Sequence, residues 1–455
     1  MVVLYRNQKQ IFMIDTDTKT IFDSFVHEPT ECQSKALFMI EEFLGNSQSC
    51  KAFILRGSAG TGKTSLMQAV VSYLKEIDLH FVLLAPTGRA AKILGKRVND
   101  IASTIHHQVY IPQELPDGKI KFTYRLNESN VRTIFIVDEA SMLASENQNQ
   151  EDFITPNSIL HDLLRHIKEG NGENQVIFIG DTYQLPPVSE TESTALSARL
   201  LSEKFDISAI QTTLQQVMRQ KEDSPILRLA NDIKLRKDEA RPLKSVALNR
   251  LRDEQAGIQY FLQHFDSKNL ENIICIANSN KKVQELNEKI RKALGFTAQS
   301  IMKGDVVMLH QNYAGNVSKG DMGVVLEVGL YTETVKDLTF VDVEIDFDGT
   351  IIKTKALLDC LLSEYGVIDS DVMRALKGDR MAKNEIYRIS ERASDDPYMG
   401  AIHLRYGYAI TCHKAQGSEW KKVLIEPKFY LGNQPWLYTA VTRASETVSS
   451  WWYKL

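Results

Sequence analysis

Short apolar runs alternating with segments of helical period dominate the first half of the chain. Residues 52–56, AFILR, read as a buried strand, and between Lys63 and Ile77 the apolar positions Leu66, Met67, Val70, Val71, Leu74 and Ile77 recur at helical spacing. Phe81–Leu84, Thr133–Val137 and Val176–Ile179 give further strand-like runs, each separated from the next by a helical or loop region. Strands alternating with helices predict parallel βαβ units and an α/β sheet. A second set of such elements begins after about residue 205, with Ile273–Ala277 and Val423–Ile425, and predicts a second α/β lobe.

Two stretches break this rhythm. Residues 110–126, YIPQELPDGKIKFTYRL, place a Pro-Asp-Gly-Lys turn between short extended runs, the pattern of a β-hairpin. Residues 322–354 contain VVLEV, FVDVEIDF and GTIIKT, alternating and rich in β-branched side chains, which predicts a small antiparallel barrel. Residues 355–394 then read as helical.

Composition narrows the class without choosing a function. A length of 455 residues suggests about three domains. With 43% apolar and 25% charged residues, the chain is an ordinary globular one, neither disordered nor collagen-like. A formal net charge of −4 excludes a surface that is basic all over. Cys32, Cys50, Cys275, Cys360 and Cys412 are odd in number, widely scattered and nowhere spaced as a CxxC knuckle, which points to free thiols in a reducing compartment. The first residues are interrupted by charge too early for a secretory leader, and no apolar run approaches the ~20 residues a membrane span needs. The expected location is cytoplasmic, with no membrane partner.

The chemistry starts at GSAGTGKTS, residues 57–65, directly after the first strand. Gly57, Gly62, Lys63 and Thr64 complete the pattern GxxxxGK[ST]. Gly57, Ser58, Ala59, Gly60, Thr61 and Gly62 would wrap backbone N–H groups around phosphate, and the helix opening at Lys63, Thr64 and Ser65 adds a favourable dipole. Lys63 would reach the terminal phosphates, and the Thr64 hydroxyl would ligate Mg²⁺. The apolar run Ile134-Phe-Ile-Val ends in Asp138 and Glu139, suited to hold the metal and to polarise a water. Phosphate loop and carboxylates together indicate an NTPase but do not say which kind.

The later motifs do. Gly180-Asp-Thr-Tyr-Gln184-Leu-Pro-Pro187 is followed by Leu214-Gln-Gln-Val-Met-Arg219-Gln220, by Thr411-Cys-His413-Lys414-Ala-Gln-Gly-Ser-Glu419, and by Tyr438-Thr-Ala-Val-Thr-Arg443-Ala444. This ordered set resembles superfamily 1 helicases, and most closely the RecD/Dda-like, Pif-related branch, superfamily 1B. Ala85-Pro-Thr87-Gly88-Arg89-Ala-Ala is similar to that branch's motif Ia, and Thr104-Ile-His106 to the segment after it. The resemblance runs from about residue 29 to the C-terminus.

The resemblance implies that Gln184 senses the γ-phosphate and that Arg219 and Arg443 stabilise charge on the transferring phosphoryl. It implies that Gln33 reads the adenine edge and Glu419 contacts the ribose. Gln33 also stands three residues after Thr30, the spacing of a capping box at a helix start, and the two roles could partly coexist. Thr87, Thr104 and His106 match positions lining a single strand, as do Thr411, His413 and Lys414. Between Ala85 and Asn99 the chain carries Arg89, Lys92, Lys96 and Arg97 with no acidic residue, a local basic face whose position favours strand binding. Phe122 and Tyr124 in the hairpin, with Tyr313 and Trp436, are candidates for stacking on bases.

The implied fold is α/β: two RecA-like P-loop motor domains of parallel sheets flanked by helices, with an inserted β-hairpin pin and an inserted SH3-like β-barrel. Residues 1–204 would form the first motor domain, with the pin at about 108–130; 205–321 and 402–455 the second; and 322–401 the barrel with a helical insertion. The implied activity is that of an ATP-dependent DNA helicase moving 5′→3′ on single-stranded DNA and opening forked duplex, with replication or repair proteins as further partners. An RNA helicase of superfamily 1, or the motor subunit of a multi-chain exodeoxyribonuclease, would use the same motifs.

Overall fold

A computed structural model describes the chain except for residues 1–5, 8–9, 12–18, 48–50, 115–119, 148–152, 217–223, 236–247, 297–299, 312, 314–316, 364–365, 367, 428–432 and 452–455. AFILR forms strand Ala52–Gly57, and the segment after the phosphate loop forms helix Lys63–Glu76. That helix buries Leu66, Met67, Val70, Val71 and Leu74 as its spacing predicts, while Ile77 caps its end and stays exposed.

Six parallel strands make the first sheet, in the order Ala209–Leu214, Ala52–Gly57, Gln175–Gly180, Ile134–Val137, Phe81–Ala85 and Ala102–Thr104. The central strands are apolar on both faces because helices cover both sides, as parallel sheets require. Ala209–Leu214 pairs with Ala52–Gly57, so the first sheet reaches beyond the boundary at 204 expected from sequence. This is an edge strand with a half-polar pattern, AIQTTL, which the apolar-run criterion does not detect.

The second sheet is also parallel, in the order Leu248–Leu251, Ala444–Trp451, Trp420–Ile425, Ile273–Ala277 and Ala409–Thr411. Between Ile273–Ala277 and Ala409–Thr411 the chain leaves to build a closed five-stranded barrel. Its strands are Val306–Leu309, Met322–Val335, Leu338–Phe347, Thr350–Leu357 and Ile402–Tyr406. The first and last lie on either side of the 322–401 segment, and Ile402–Tyr406 closes the barrel by pairing parallel with Thr350–Leu357. The helical reading of 355–394 resolves into Leu358–Leu362, Ser370–Lys383 and Glu385–Ser390, packed on the barrel through Leu376 and Tyr387.

Strands Tyr110–Glu114 and Ile120–Tyr124 form the expected antiparallel hairpin, and Phe153–Ile154 adds a third short strand. Among the described residues no helix is long and apolar enough to cross a membrane. Cys32, Cys275, Cys360 and Cys412 are free, and Cys50 lies outside the described residues.

Candidate nucleotide cleft and strand surface

Ligands of open parallel sheets sit beyond the carboxyl ends of the strands. Here the ends of Ala52–Gly57, Ile134–Val137 and Gln175–Gly180 carry the phosphate loop, Asp138–Glu139 and Asp181–Gln184. Gly60 and Gly62 have φ of +79° and +86°, conformations that a side chain would strain. A Cβ on Gly57 would lie 2.5 Å from the Thr61 hydroxyl oxygen, so only glycine lets the loop curl this tightly. Lys63 Nζ donates to the carbonyls of Gly57 at 2.6 Å and Ser58 at 3.1 Å, folding the ammonium over the loop.

Asp138 Oδ1 accepts from the Glu139 backbone N–H at 2.9 Å, and Glu139 adopts φ +50°. A non-glycine residue held in the left-handed region at a strand end is typical of a site where side-chain direction matters. Burial first, and then the neighbouring Glu139 charge, raise the Asp138 carboxyl above the usual carboxylate range, while Lys63 acts in the opposite sense. Gln184 is buried and its Oε1 has no hydrogen-bond partner among the described residues. Such an orphaned acceptor costs about 1–3 kcal/mol unless something arrives to donate to it.

Gln33 is fully buried and makes the capping box with Thr30: its Oε1 accepts from Thr30 N–H at 2.9 Å. Its Nε2 donates to the Thr61 carbonyl at 3.1 Å, so the glutamine ties the helix start directly to the phosphate loop.

The second sheet closes the cleft. Helix Gln434–Val441 presents Tyr438, whose hydroxyl accepts from the Ala59 N–H at 3.0 Å and donates to Asp181 Oδ2 at 2.8 Å. Thr439 Oγ1 accepts from Leu185 N–H at 2.8 Å, and Gln416 Nε2 donates to the Leu185 carbonyl at 3.1 Å. Arg443 is buried, and its guanidinium donates to the carbonyls of Thr439 and Ser418 and to the Thr442 hydroxyl. Among the described residues no carboxylate is paired with it. Tyr438 and Gln416 lie inside the motifs quoted above, but their bridging contacts are not legible there. Arg219 lies outside the described residues.

Helix Gly88–Val98 departs from expectation. Each of its four cations meets a partner on the second sheet or the barrel, while Lys92, Lys96 and Arg97 keep 44%, 76% and 42% of their side-chain surface exposed. The Arg89 guanidinium carbon lies 4.7 Å from the ring centroid of the buried Trp420. Lys92 pairs with Asp321, Lys96 with Asp348 at 3.4 Å, and Arg97 with Glu419 at 3.3 Å. At the same seam a Cβ on Gly417 would fall 2.9 Å from Ala90 Cβ, and one on Gly88 would fall 2.2 Å from Ser318 Cβ. Arg89 is thus an inter-sheet contact rather than part of an open strand track, and Glu419 is already engaged by Arg97.

Thr87, Thr104 and Thr411 sit at the carboxyl ends of Phe81–Ala85, Ala102–Thr104 and Ala409–Thr411 and each caps the helix that follows. Their oxygens accept from Ala90, His107 and Lys414 N–H, leaving each hydroxyl proton to donate outward. His413 and Lys414 are exposed. Although the residue is exposed, lost hydration around its ammonium, with the charges of Arg405 and Lys319, lowers Lys414 to about 7. His106 is half-buried, and burial together with the Lys319 charge takes it down to about 4, so it is neutral at pH 7. Phe122 corrects a further expectation: it is buried, with its ring 5.6 Å from His106 and 5.5 Å from Tyr110, and its face is not offered to a base. Trp436 is likewise buried, and Tyr124 is taken by Glu169 and Arg165.

A phosphate loop bridged through Tyr438 to a second parallel sheet defines a P-loop α/β protein with an inter-sheet cleft. The AAA domain family matches residues 37–256, and the UvrD-like helicase C-terminal domain family matches residues 406–449. The ATP-dependent RecD2 DNA helicase of Deinococcus radiodurans is 25% identical over 410 residues, covering 86% of this chain and 46% of that protein. The ATP-dependent DNA helicase dda of Enterobacteria phage T4 is 26% identical over 264 residues, covering 56% of each. The chain therefore spans about half the length of these curated relatives. A solved structure described as the structural basis for DNA unwinding at forked dsDNA by two coordinating Pif1 helicases shares the fold, with a TM-score of 0.50 at 18% identity, covering 93% of this chain and 92% of that one. The chain is thus similar to the ATP-dependent DNA helicases RecD2 and Dda in sequence and to Pif1 in fold.

Proposed function

We propose that this protein is an ATP-dependent DNA helicase that moves 5′→3′ along single-stranded DNA and opens forked duplex. In this reading the two parallel sheets are RecA-like motor lobes, the 110–124 hairpin is the strand-splitting pin, and the five-stranded barrel is the SH3-like insertion. The observation that carries the reading is the bridge at Tyr438, through which the second sheet grips both the phosphate loop at Ala59 and the loop bearing Gln184 at Asp181. Any change of charge or occupancy at the loop is felt directly by the opposite lobe, which is what a motor requires.

The residues fit nucleotide and divalent cation. The glycine cradle has no room for side chains, and the Asp138 carboxyl is raised by burial and by the neighbouring Glu139 charge, a state that added positive charge relieves. Thr64 and Asp138 would hold Mg²⁺, which when bound neutralises phosphate oxygens. Lys63 and the loop amides bind the phosphates, Glu139 holds a water by its carboxylate, and Gln184 accepts from that water through its unpaired Oε1 while its amide nitrogen donates to the terminal phosphate. Arg443 approaches the developing charge from the second lobe, and Arg219, outside the described residues, is given the same role by its motif. The nucleic-acid strand runs across the outward hydroxyls of Thr87, Thr104 and Thr411 and past His413 and Lys414, contacts that suit sequence-independent binding of phosphates.

Strand displacement on forked DNA with either a 5′ or a 3′ tail tests the proposal. Unwinding from the 5′ tail is expected; unwinding from 3′ tails alone overturns the polarity, and stronger stimulation of ATPase by matched RNA overturns the choice of DNA.

A further inference from the structure

Helix Pro225–Lys234 approaches the phosphate loop from the second-sheet side. Its Leu227 seats against Gly60, where an added Cβ would meet Leu227 Cδ1 at 2.7 Å. About two turns later the helix ends at Lys234, whose Nζ donates to the Ser58 hydroxyl at 3.1 Å and lies 5.0 Å from the Tyr183 ring centroid. Tyr183 in turn packs on Tyr438, with centroids 5.7 Å apart.

Lys63 donates to the carbonyl of the same Ser58. Two ammonium groups therefore converge on one loop residue, and among the described residues neither is in an ion pair. This contrasts with helix Gly88–Val98, where Lys92, Lys96 and Arg97 all have a carboxylate. The two charges repel, and burial with the Lys63 charge lowers the Lys234 ammonium while Asp181 opposes the shift. What relieves such an arrangement is an anion of more than one charge seated at the loop. Ser58 is a weak stand-in for it: a neutral hydroxyl accepting from a cation.

We propose that Lys234 is a phosphate-contacting residue that crosses from the second lobe to the terminal phosphate of a bound nucleoside triphosphate, and so makes the site prefer triphosphate to diphosphate. This rests on the nucleotide-site reading above and extends it to a residue outside the recognised motifs. Lys63 lies on the first lobe and holds the phosphate loop in both nucleotide states. Lys234 comes from the opposite lobe and reaches an oxygen that only the triphosphate offers.

Equilibrium binding of ADP and of ATPγS to the full chain, wild type against Lys234→Met and Lys234→Arg, decides the matter, with thermal melting confirming that each variant folds. The expected result is about a tenfold loss of ATPγS affinity in Lys234→Met, ADP affinity within twofold of wild type, and substantial recovery in Lys234→Arg. Equal losses for both nucleotides, or no loss of ATPγS affinity, overturn the inference while leaving the nucleotide site standing. A wild-type chain that binds neither nucleotide overturns the site reading and this inference with it.

Discussion

Replacing Arg89 by alanine separates two roles for the basic helix Gly88–Val98. If the helix docks the lobes, the main loss is the stacking of the guanidinium on buried Trp420 at 4.7 Å. A desolvated cation–π contact of this kind is worth about 2 kcal/mol. The neighbouring pairs rank below it: Lys92–Asp321, with Asp321 nearly buried, at about 1 kcal/mol, and the more open Arg97–Glu419 pair at about 0.5 kcal/mol. Lys96–Asp348, exposed at both ends, contributes close to nothing. Denaturant unfolding should therefore show Arg89→Ala destabilised by about 2 kcal/mol, or a lobe–lobe transition split from the main one, with Lys96→Ala unchanged. Single-stranded DNA affinity measured across salt concentrations gives the second readout. A docking residue leaves the slope of log affinity against log salt as in wild type, whereas loss of one phosphate contact lowers it by about one. A reduced slope with unchanged stability would refute the docking role and restore Arg89 to the strand track.

Three further outcomes are expected. Lys63→Ala or Arg443→Ala should abolish DNA-stimulated ATP hydrolysis while leaving single-stranded DNA binding largely intact; full activity in either variant contradicts the catalytic assignment. Because the Lys414 ammonium is lowered to about 7, its charge is present below that pH and lost above it. Affinity for single-stranded DNA should thus fall as pH rises from 6 to 8.5, and Lys414→Met should flatten that part of the profile. Phe122→Ala should cost about 3 kcal/mol of stability, as expected for a buried aromatic; a variant of wild-type stability with weakened strand binding would return Phe122 to a stacking role.

The local half of this protein was legible in its residues. Strand 52–57, the glycine-rich turn and helix 63–76 are adjacent in the chain, so period, loop composition and helix start can all be read from one window. The hairpin and the barrel showed through turn chemistry and alternation for the same reason. Gln33 could be read both ways because a capping box is a three-residue signal, and the structure shows the box formed while Nε2 reaches Thr61.

What the tertiary structure alone decided concerns partners distant in sequence. A run of four cations looks the same whether it faces solvent or a second lobe; only the fold brings Asp321, Asp348 and Glu419 to three of them and the Trp420 ring to the fourth. Strand Ala209–Leu214 joins the first sheet because pairing with Ala52–Gly57 satisfies its backbone, something its half-polar side chains do not announce. Phe122 lost its expected role and Lys234, which no motif marked, acquired one for the same physical reason. Burial and the company a charge keeps are set by contacts across the whole chain, and Lys234 meets Ser58 across 176 positions of sequence.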